Sequence, residues 1–270
     1  MTTSKVKPEL VAATATATVP CKRLLVITGD KGGTGKSTFA RVLVDILLQQ
    51  GIKLVAFDSD KRNAQLYRFY NQALASGVAR IDLATRGGAD ALINQLEAAQ
   101  EVILIDLPAG AGEDFERFEQ EMDLIQTAKE MGYRLTVVSV INRVKDCVNS
   151  LRTLLDYCGD RVDYVVVKNL FFGTPERFQR FDESKTKTLF LQHQGVVMHL
   201  PDLYDGTTDL LDQQNLTFSE AQQHRDLSLV DRTRVKRFLQ AAATEMSPAA
   251  SLLDLSGTAT ATVSGSNERG

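Results

Sequence analysis

The chain has 270 residues, of which 43% are hydrophobic and 24% are charged, a composition typical of a globular protein with one full core. The net charge of −3 excludes a globally basic nucleic-acid-binding protein, and no apolar run reaches the roughly 18 residues needed to cross a bilayer. Cys21, Cys147 and Cys158 are too scattered for a disulfide framework, a zinc site or an iron–sulfur site. We therefore expect a cytoplasmic protein with free thiols.

The two ends of the chain differ in composition from its middle. Thr and Ala alternate over 14–18 and again over 258–262. Segments so poor in large apolar side chains cannot offset the entropy lost on ordering. We predict a disordered N-terminal tail over 1–20, one globular domain over 21–246 and a disordered C-terminal tail over 247–270.

Short apolar, β-rich runs alternate with helical patterns along the middle of the chain, as in repeated strand–helix–strand units. This alternation predicts an α/β fold, a doubly wound, mostly parallel sheet with helices on both faces and ligands beyond the carboxyl ends of the strands. The predicted strands are Leu24–Thr28, Leu54–Phe57, Val102–Ile105, Leu135–Ile141, Val162–Val167 and Val196–Leu200. The predicted helices include Ser37–Gln50, Glu113–Met131 and Val144–Cys158, each followed by glycine.

The first strand continues through a glycine-rich turn into an amphipathic helix, which is the context that a phosphate-binding loop requires. Glycines let consecutive main-chain N–H groups point at phosphate oxygens, and the helix N-terminus adds its positive dipole end. Lys36 would neutralise the β- and γ-phosphates, and the Ser37 hydroxyl would bind Mg²⁺. Asp30 stands where the standard pattern has glycine, so the prediction depends on context, and the alternative is a turn that only joins strand to helix.

The segment Lys31-Gly32-Gly33-Thr34-Gly35-Lys36-Ser37-Thr38 resembles the deviant Walker A box of the ParA/MinD family of P-loop ATPases. The resemblance implies ATP and Mg²⁺ as ligands and a homodimer that forms on ATP binding. It also implies that Lys31 reaches the nucleotide of the partner subunit, where a second cation would stabilise charge on the transferred phosphoryl group. The alternative for Lys31 is a solvated lysine at the start of a loop.

Acidic residues follow two further predicted strands. Asp106 ends a hydrophobic strand, as in a Walker B element that binds Mg²⁺ through water. Asp58 and Asp60 resemble the Asp-x-Asp segment of the family, with Lys61 in place of its usual proline. The resemblance places Asp58 near the magnesium ion and makes Asp60 the residue that orients the attacking water. Capping of the next helix is the alternative for Asp60.

Two residues resemble the family's contacts to the base. Asn169 follows the predicted strand Val162–Val167, and its amide offers both a donor and an acceptor to adenine. Pro201 resembles a residue that flanks the base. Between the last two predicted strands, the polar segment 171–194 departs from the family pattern, and it is either a partner-binding elaboration or a solvated helix pair.

The last predicted helix, 231–246, carries an apolar face and an opposite basic face. Family members that bind DNA use a basic surface formed by the dimer. Nonspecific DNA is therefore a possible partner here, with a solvated helix face as the alternative. The C-terminus lacks a basic amphipathic helix, so a membrane partner is disfavoured. The candidate DNA contacts are Arg225, Arg232, Arg234, Lys236 and Arg237.

The resemblance predicts a slow, dimerising switch ATPase that partitions or positions a cargo, either DNA or a protein assembly, and that a partner protein stimulates. Two alternatives stay open. A small-molecule ATP-dependent synthetase on the same fold usually lacks a lysine at position 31. A nucleotide-binding scaffold that does not hydrolyse ATP is the other, because Lys61 replaces the usual proline next to Asp60, the residue expected to orient the attacking water.

Overall fold

The computed structural model describes residues 22–29, 31–98 and 100–255. The predicted N-terminal tail, Cys21 and Asp30 lie outside these ranges, as do residues 256–270. Cys147 and Cys158 are both buried thiols. In the described ranges, no helix has both the length and the apolar character needed to cross a membrane.

Seven parallel strands form one sheet in the order β3-β2-β4-β1-β5-β6-β7, which confirms the predicted doubly wound α/β fold. The sequence does not predict β3, because this edge strand has only three residues and two of them are exposed. The strands are β1 Lys22–Thr28, β2 Leu54–Asp58, β3 Val78–Arg80, β4 Val102–Asp106, β5 Tyr133–Ile141, β6 Asp163–Asn169 and β7 Val196–Leu200.

Helices cover both faces of the sheet. On one face α1, α2 and α9 to α12 bury one apolar cluster, and on the other α3 to α8 bury a second. The helices are α1 Lys36–Gln49, α2 Gln65–Tyr70, α3 Asp90–Glu97, α4 Gly112–Met122, α5 Leu124–Glu130, α6 Lys145–Cys158, α7 Gln179–Asp182, α8 Lys185–Gln192, α9 Asp205–Gln214, α10 Phe218–Ala221, α11 Leu229–Met246 and α12 Ala250–Leu253.

The single helix predicted over Glu113–Met131 is wrong. The chain instead forms α4 and α5, which are separated at Asp123. Asp123 has φ 45° and ψ 47°, so its left-handed conformation interrupts the helix. Asp is among the residues that tolerate this conformation. The apolar residues on either side of Asp123 keep helical spacing, so the sequence pattern does not indicate the break.

The segment 171–194 folds against β6 rather than apart from it. Phe178, Phe181 and Phe190 are buried in the second apolar cluster. The buried Lys168, in β6, donates to Asp182 at 2.8 and 2.9 Å, and Lys187 donates to the same carboxylate at 2.8 Å. A partly buried carboxylate between two cations fixes the segment to the strand that ends in Asn169.

The register of the central strands aligns their carboxyl ends. Asp106 pairs with Ile27 of β1 on one side and with Asp58 of β2 on the other. The loop that follows β1 therefore begins beside two carboxylates. This arrangement places the predicted site at the point where the strand order reverses, which is where open α/β sheets bind ligands.

The folded chain continues past the predicted boundary at 246. A 3₁₀ turn over Ser247–Ala249 and then α12 follow α11 directly. Leu253 is 0% exposed and Leu255 is 3% exposed, and the Thr136 hydroxyl donates to the Leu252 carbonyl at 2.9 Å. The prediction of a tail from 247 is therefore wrong for 247–255, because Leu252, Leu253 and Leu255 pack against the first apolar cluster.

Replacing Leu253 by Ala should lower the free energy of unfolding by roughly 2 to 5 kcal/mol, since it leaves a cavity in a packed cluster. Urea unfolding would show a lower midpoint with an unchanged slope. Leu191→Ala is the matched control because Leu191 is 53% exposed. Equal midpoints for the two variants would contradict a structural role for α12.

Candidate nucleotide-binding site

The loop after β1 has the backbone of a phosphate cradle. Gly33 and Gly35 have φ of 74° and 94°, a conformation that favours glycine, and α1 begins directly after Gly35. Lys36 is buried, and its ammonium donates to the Lys31 carbonyl at 3.2 Å, across the loop. The Thr34 hydroxyl is buried and has no hydrogen-bond partner among the described residues. The loop thus holds polar groups that its own fold leaves for a ligand.

Asn169 fixes this loop from the end of β6. Its amide nitrogen donates to the Thr34 carbonyl at 2.9 Å, and its amide oxygen accepts from the Phe171 N–H at 3.1 Å. A side chain at position 35 would overlap the Asn169 amide, so glycine is required there for space as well as for φ. Contact between Asn169 and adenine stays a prediction, and the structure adds a positioning role that the sequence does not predict.

Asp106 lies at the centre of the site, with Lys36 and the Ser37 hydroxyl as the nearby groups that favour its charged form. The residue is 1% exposed, and neither carboxylate oxygen accepts a hydrogen bond within the described chain. Burial raises the pKa of Asp106 to about 7, against the lowering effect of the nearby Ser37 hydroxyl and Lys36. An orphaned buried carboxylate beside a hydroxyl fits a divalent cation, which prefers oxygen ligands. Among the described residues, no group of three or more His, Cys, Asp or Glu forms a preformed metal cluster.

The other two predicted carboxylates already accept hydrogen bonds from the backbone. The buried Asp58 accepts from the N–H groups of Asp60 and Tyr67, both at 3.0 Å, and burial raises its pKa. Asp60 accepts from the N–H groups of Arg62 and Asn63, both at 2.9 Å. Asp60 therefore does not cap α2, whose N-cap is Ala64, but stabilises the turn before that helix.

Lys31 and Lys61 both form ion pairs on the surface. The Lys31 ammonium lies 3.0 Å from a carboxylate oxygen of Asp146, in the first turn of α6, and both side chains are half exposed. Lys61 pairs with Asp82. Exposed pairs of this kind contribute little stability, so either lysine can be redirected at small cost.

A cavity extends from the phosphate loop along α1 toward α9 and α10. Asn169 and Pro201 both line it, so the structure brings together the two residues predicted to contact the base. The lining residues that the sequence analysis does not predict include Arg41 and Phe171. A charged residue within the buried face of α1 is the signal that would have identified Arg41. The lining also includes Gly33, Gly35, Thr38, Asp202, Asp205, Leu211, Phe218 and Phe238.

The five candidate DNA contacts lie away from this cavity. Arg225 precedes α11 and the other four lie on it. Arg225, Arg234, Lys236 and Arg237 are exposed, whereas Arg232 is partly buried. Arg234 pairs with Asp231 at 3.2 Å and lies over the Tyr204 ring. The apolar face predicted for this helix is confirmed, because Val235, Phe238, Leu239, Ala242 and Met246 are buried.

Replacing Asp106 by Asn should stabilise the metal-free protein at pH 8. The pKa of Asp106 is about 7 in the folded protein, against about 3.9 for an unfolded Asp. The free energy of unfolding is therefore highest below about pH 4, where the carboxyl is protonated in both states, and it falls as the pH rises to about 7. The neutral amide removes that loss, so the gain should be on the order of 1 to 4 kcal/mol at pH 8 and absent at pH 4.

Urea unfolding in a chelator at both pH values would measure the gain, with the exposed Asp156→Asn as control. A difference between wild type and Asp106→Asn that does not change with pH would contradict the assignment.

Two curated proteins are similar to most of this chain. Protein MobD from Acidithiobacillus ferrooxidans is 25% identical over 218 residues, which cover 80% of this chain and 93% of MobD. A protein TraL from Escherichia coli is 23% identical over 225 residues, which cover 79% of this chain and 92% of TraL.

Among solved structures, the septum site-determining protein MinD from Pyrococcus horikoshii, complexed with Mg-ADP, has 16% identity and a TM-score of 0.46. The match covers 83% of this chain and 95% of MinD. A score at this level supports no conclusion about activity.

The family described as CbiA, the CobQ/CobB/MinD/ParA nucleotide binding domain, matches residues 25–267. The match begins within β1 and includes the phosphate loop, Asp58 and Asp106 at the ends of β2 and β4, and the residues that line the cavity. The chain therefore belongs to this family of nucleotide-binding domains.

Proposed function

We propose that this protein is an ATP-dependent dimerising switch ATPase that partitions or positions a cargo. The observation that carries the proposal is the phosphate cradle next to Asp106, a buried carboxylate whose oxygens accept no hydrogen bond in the described chain. Such a carboxylate costs folding free energy, and a metal–nucleotide complex would offset that cost. The family membership supports nucleotide binding.

Each part of the cradle has a role toward ATP and magnesium. The N–H groups of the Gly32–Thr38 loop would hold the phosphates, and Lys36 would exchange its contact with the Lys31 carbonyl for phosphate oxygens. Ser37 and Asp106 would hold the magnesium ion, with Asp58 nearby in register. The ion would neutralise charge on the β- and γ-phosphates. Asn169 would keep the loop in shape during binding and release.

Dimerisation would use Lys31, which lies on the exposed side of the loop. Its half-exposed pair with Asp146 contributes little stability, so Lys31 can leave α6 for a phosphate on a partner subunit. Two protomers joined through their nucleotides would separate again after hydrolysis. This cycle would couple ATP turnover to release of a partner protein or of DNA bound along the basic surface of α11.

A nucleotide-binding scaffold without turnover is the second candidate, and the conformation of Asp60 favours it. One carboxylate oxygen of Asp60 already accepts two main-chain N–H groups, and the adjacent Lys61 is paired with Asp82. A switch ATPase requires Asp60 to turn toward the attacking water when ATP binds. A scaffold requires no such movement. The synthetase alternative has no specific observation in its favour.

Replacing Lys31 by Ala should leave ATP binding within about threefold of wild type but abolish dimerisation and turnover, because Lys31 would act only across the interface. Lys36→Ala should instead lose ATP binding, since it removes the cation inside the loop. Light scattering with ATP and magnesium would measure the dimer, and titration with a fluorescent ATP analogue would measure binding. Unchanged turnover in Lys31→Ala would remove the basis for a two-subunit site.

Replacing Asp60 by Ala separates the switch from the scaffold. A switch should lose at least about tenfold in ATP hydrolysis, as expected for loss of a residue that orients the attacking water, and should accumulate as an ATP-bound dimer. Phosphate release and light scattering report the two effects. Asp82→Ala, which removes the neighbouring ion pair but not the carboxylate at 60, is the matched control. Equal phosphate release from wild type and Asp60→Ala would favour the scaffold.

A further inference from the structure

Two side chains from other helices cap the short helix α10. The N–H of Phe218, its first residue, donates to the Tyr70 hydroxyl at 3.3 Å, and the N–H of Ser219 donates to the Asp45 carboxylate at 2.9 Å. The first N–H groups of a helix have no partner within that helix. Tyr70 in α2 and Asp45 in α1 supply the missing acceptors, so three helices meet at this point.

The two capping side chains are buried and bonded to each other. Tyr70 is 0% exposed and Asp45 is 1% exposed. The Tyr70 hydroxyl donates to Asp45 at 2.7 Å, and the Ser219 hydroxyl donates to the same carboxylate. Burial and the neighbouring Asp45 raise the pKa of Tyr70 well above its ordinary value, so the hydroxyl stays a donor at neutral pH. A buried network whose members have partners is rigid, and this one fixes the start of α10.

The position of α10 determines where Phe218 lies in the wall of the cavity. The Phe218 ring packs against Phe238, with ring centroids 5.3 Å apart, and both residues line the cavity together with Asn169 and Pro201. Apolar, aromatic walls suit a flat heterocycle rather than a polyphosphate. Because the main chain of Phe218 is held by Tyr70, a shift of α10 would change the width of the cavity at its apolar end.

The phosphate end of the site is held by a different set of contacts. There, Lys36 donates to the Lys31 carbonyl and Asn169 donates to the Thr34 carbonyl. Neither contact involves α2 or α10. Loss of a cap on α10 should therefore disturb the apolar end of the cavity and leave the phosphate loop intact.

We propose that Tyr70 and Asp45 are positioning residues for the nucleobase. They hold Phe218 against the base and so raise the affinity for ATP, although neither is among the residues that line the cavity. The inference rests on the proposed function, because it requires ATP to bind with its base in this cavity.

The test compares the affinities for Mg-ATP and for magnesium tripolyphosphate, which has the phosphates but no base. Calorimetry would measure both at a temperature where every variant is folded. Tyr70→Phe keeps the ring but removes the acceptor of the Phe218 N–H, so it should weaken ATP binding roughly tenfold and leave tripolyphosphate binding within about twofold of wild type. Ser219→Ala removes a bond to Asp45 at a partly exposed position and should weaken ATP binding alone, by about threefold.

Tyr67→Phe is the matched control for Tyr70→Phe. It removes a hydroxyl from the same helix, but Tyr67 is 39% exposed and is not among the residues that line the cavity. Both affinities of this variant should equal those of wild type.

A double variant separates a positioning role from a general loss of stability. If Tyr70 acts through Phe218, adding Tyr70→Phe to Phe218→Leu should change ATP affinity by less than about twofold, because the two effects are not independent. Additive losses overturn the inference, as do equal losses for ATP and tripolyphosphate or unchanged ATP binding in Tyr70→Phe. If wild type binds tripolyphosphate as tightly as ATP, this inference fails and the phosphate cradle stands. If wild type binds neither ligand, this inference and the proposed function both fail.

Discussion

The site depends on the parallel alignment of three strand ends. β1, β2 and β4 finish in register, so the phosphate loop, Asp58 and Asp106 come together without any contact between distant loops. Hydrogen bonds of the sheet supply this alignment before a ligand arrives. Because this alignment exists before a ligand binds, less free energy is lost on ordering the chain during binding. The cost appears at Asp106, where burial opposes ionisation.

Other buried polar groups near the site also lower the stability of the fold but are available to bind a ligand. Thr34 and Asp106 at the phosphate loop and Arg41 in the cavity wall each have polar atoms without a hydrogen-bond partner in the described chain. Buried polar atoms are ordinarily satisfied. Asn169 shows the contrasting case, since its hydrogen bonds to the loop maintain the shape that the other residues require. At this site, Thr34 and Asp106 therefore offer unsatisfied polar atoms to a ligand, whereas Asn169 supports the loop.

Periodicity and motif spacing predict most of the sheet and the phosphate loop, because continuous apolar runs and a glycine-rich turn are local signals. They do not predict β3, which has too few residues to form a pattern, or the break at Asp123, whose neighbours maintain helical spacing. The packing of α12 was also missed, since the burial of Leu253 depends on an edge formed by distant strands. In the site, motif spacing predicts the loop, whereas the packing of Arg41 against Phe69 and Phe218 depends on how distant helices come together.

The sheet order also constrains how the chain acquires its fold during synthesis. β1 is made first among the strands but lies between β4 and β5, which begin at residues 102 and 133. Both edges of this apolar strand therefore stay unpaired until more than a hundred residues have left the ribosome. Exposed edges of apolar strands favour aggregation, and pairing at such long sequence separation is slow. The central strand of the sheet therefore acquires its two neighbours only after β4 and then β5 have been synthesised.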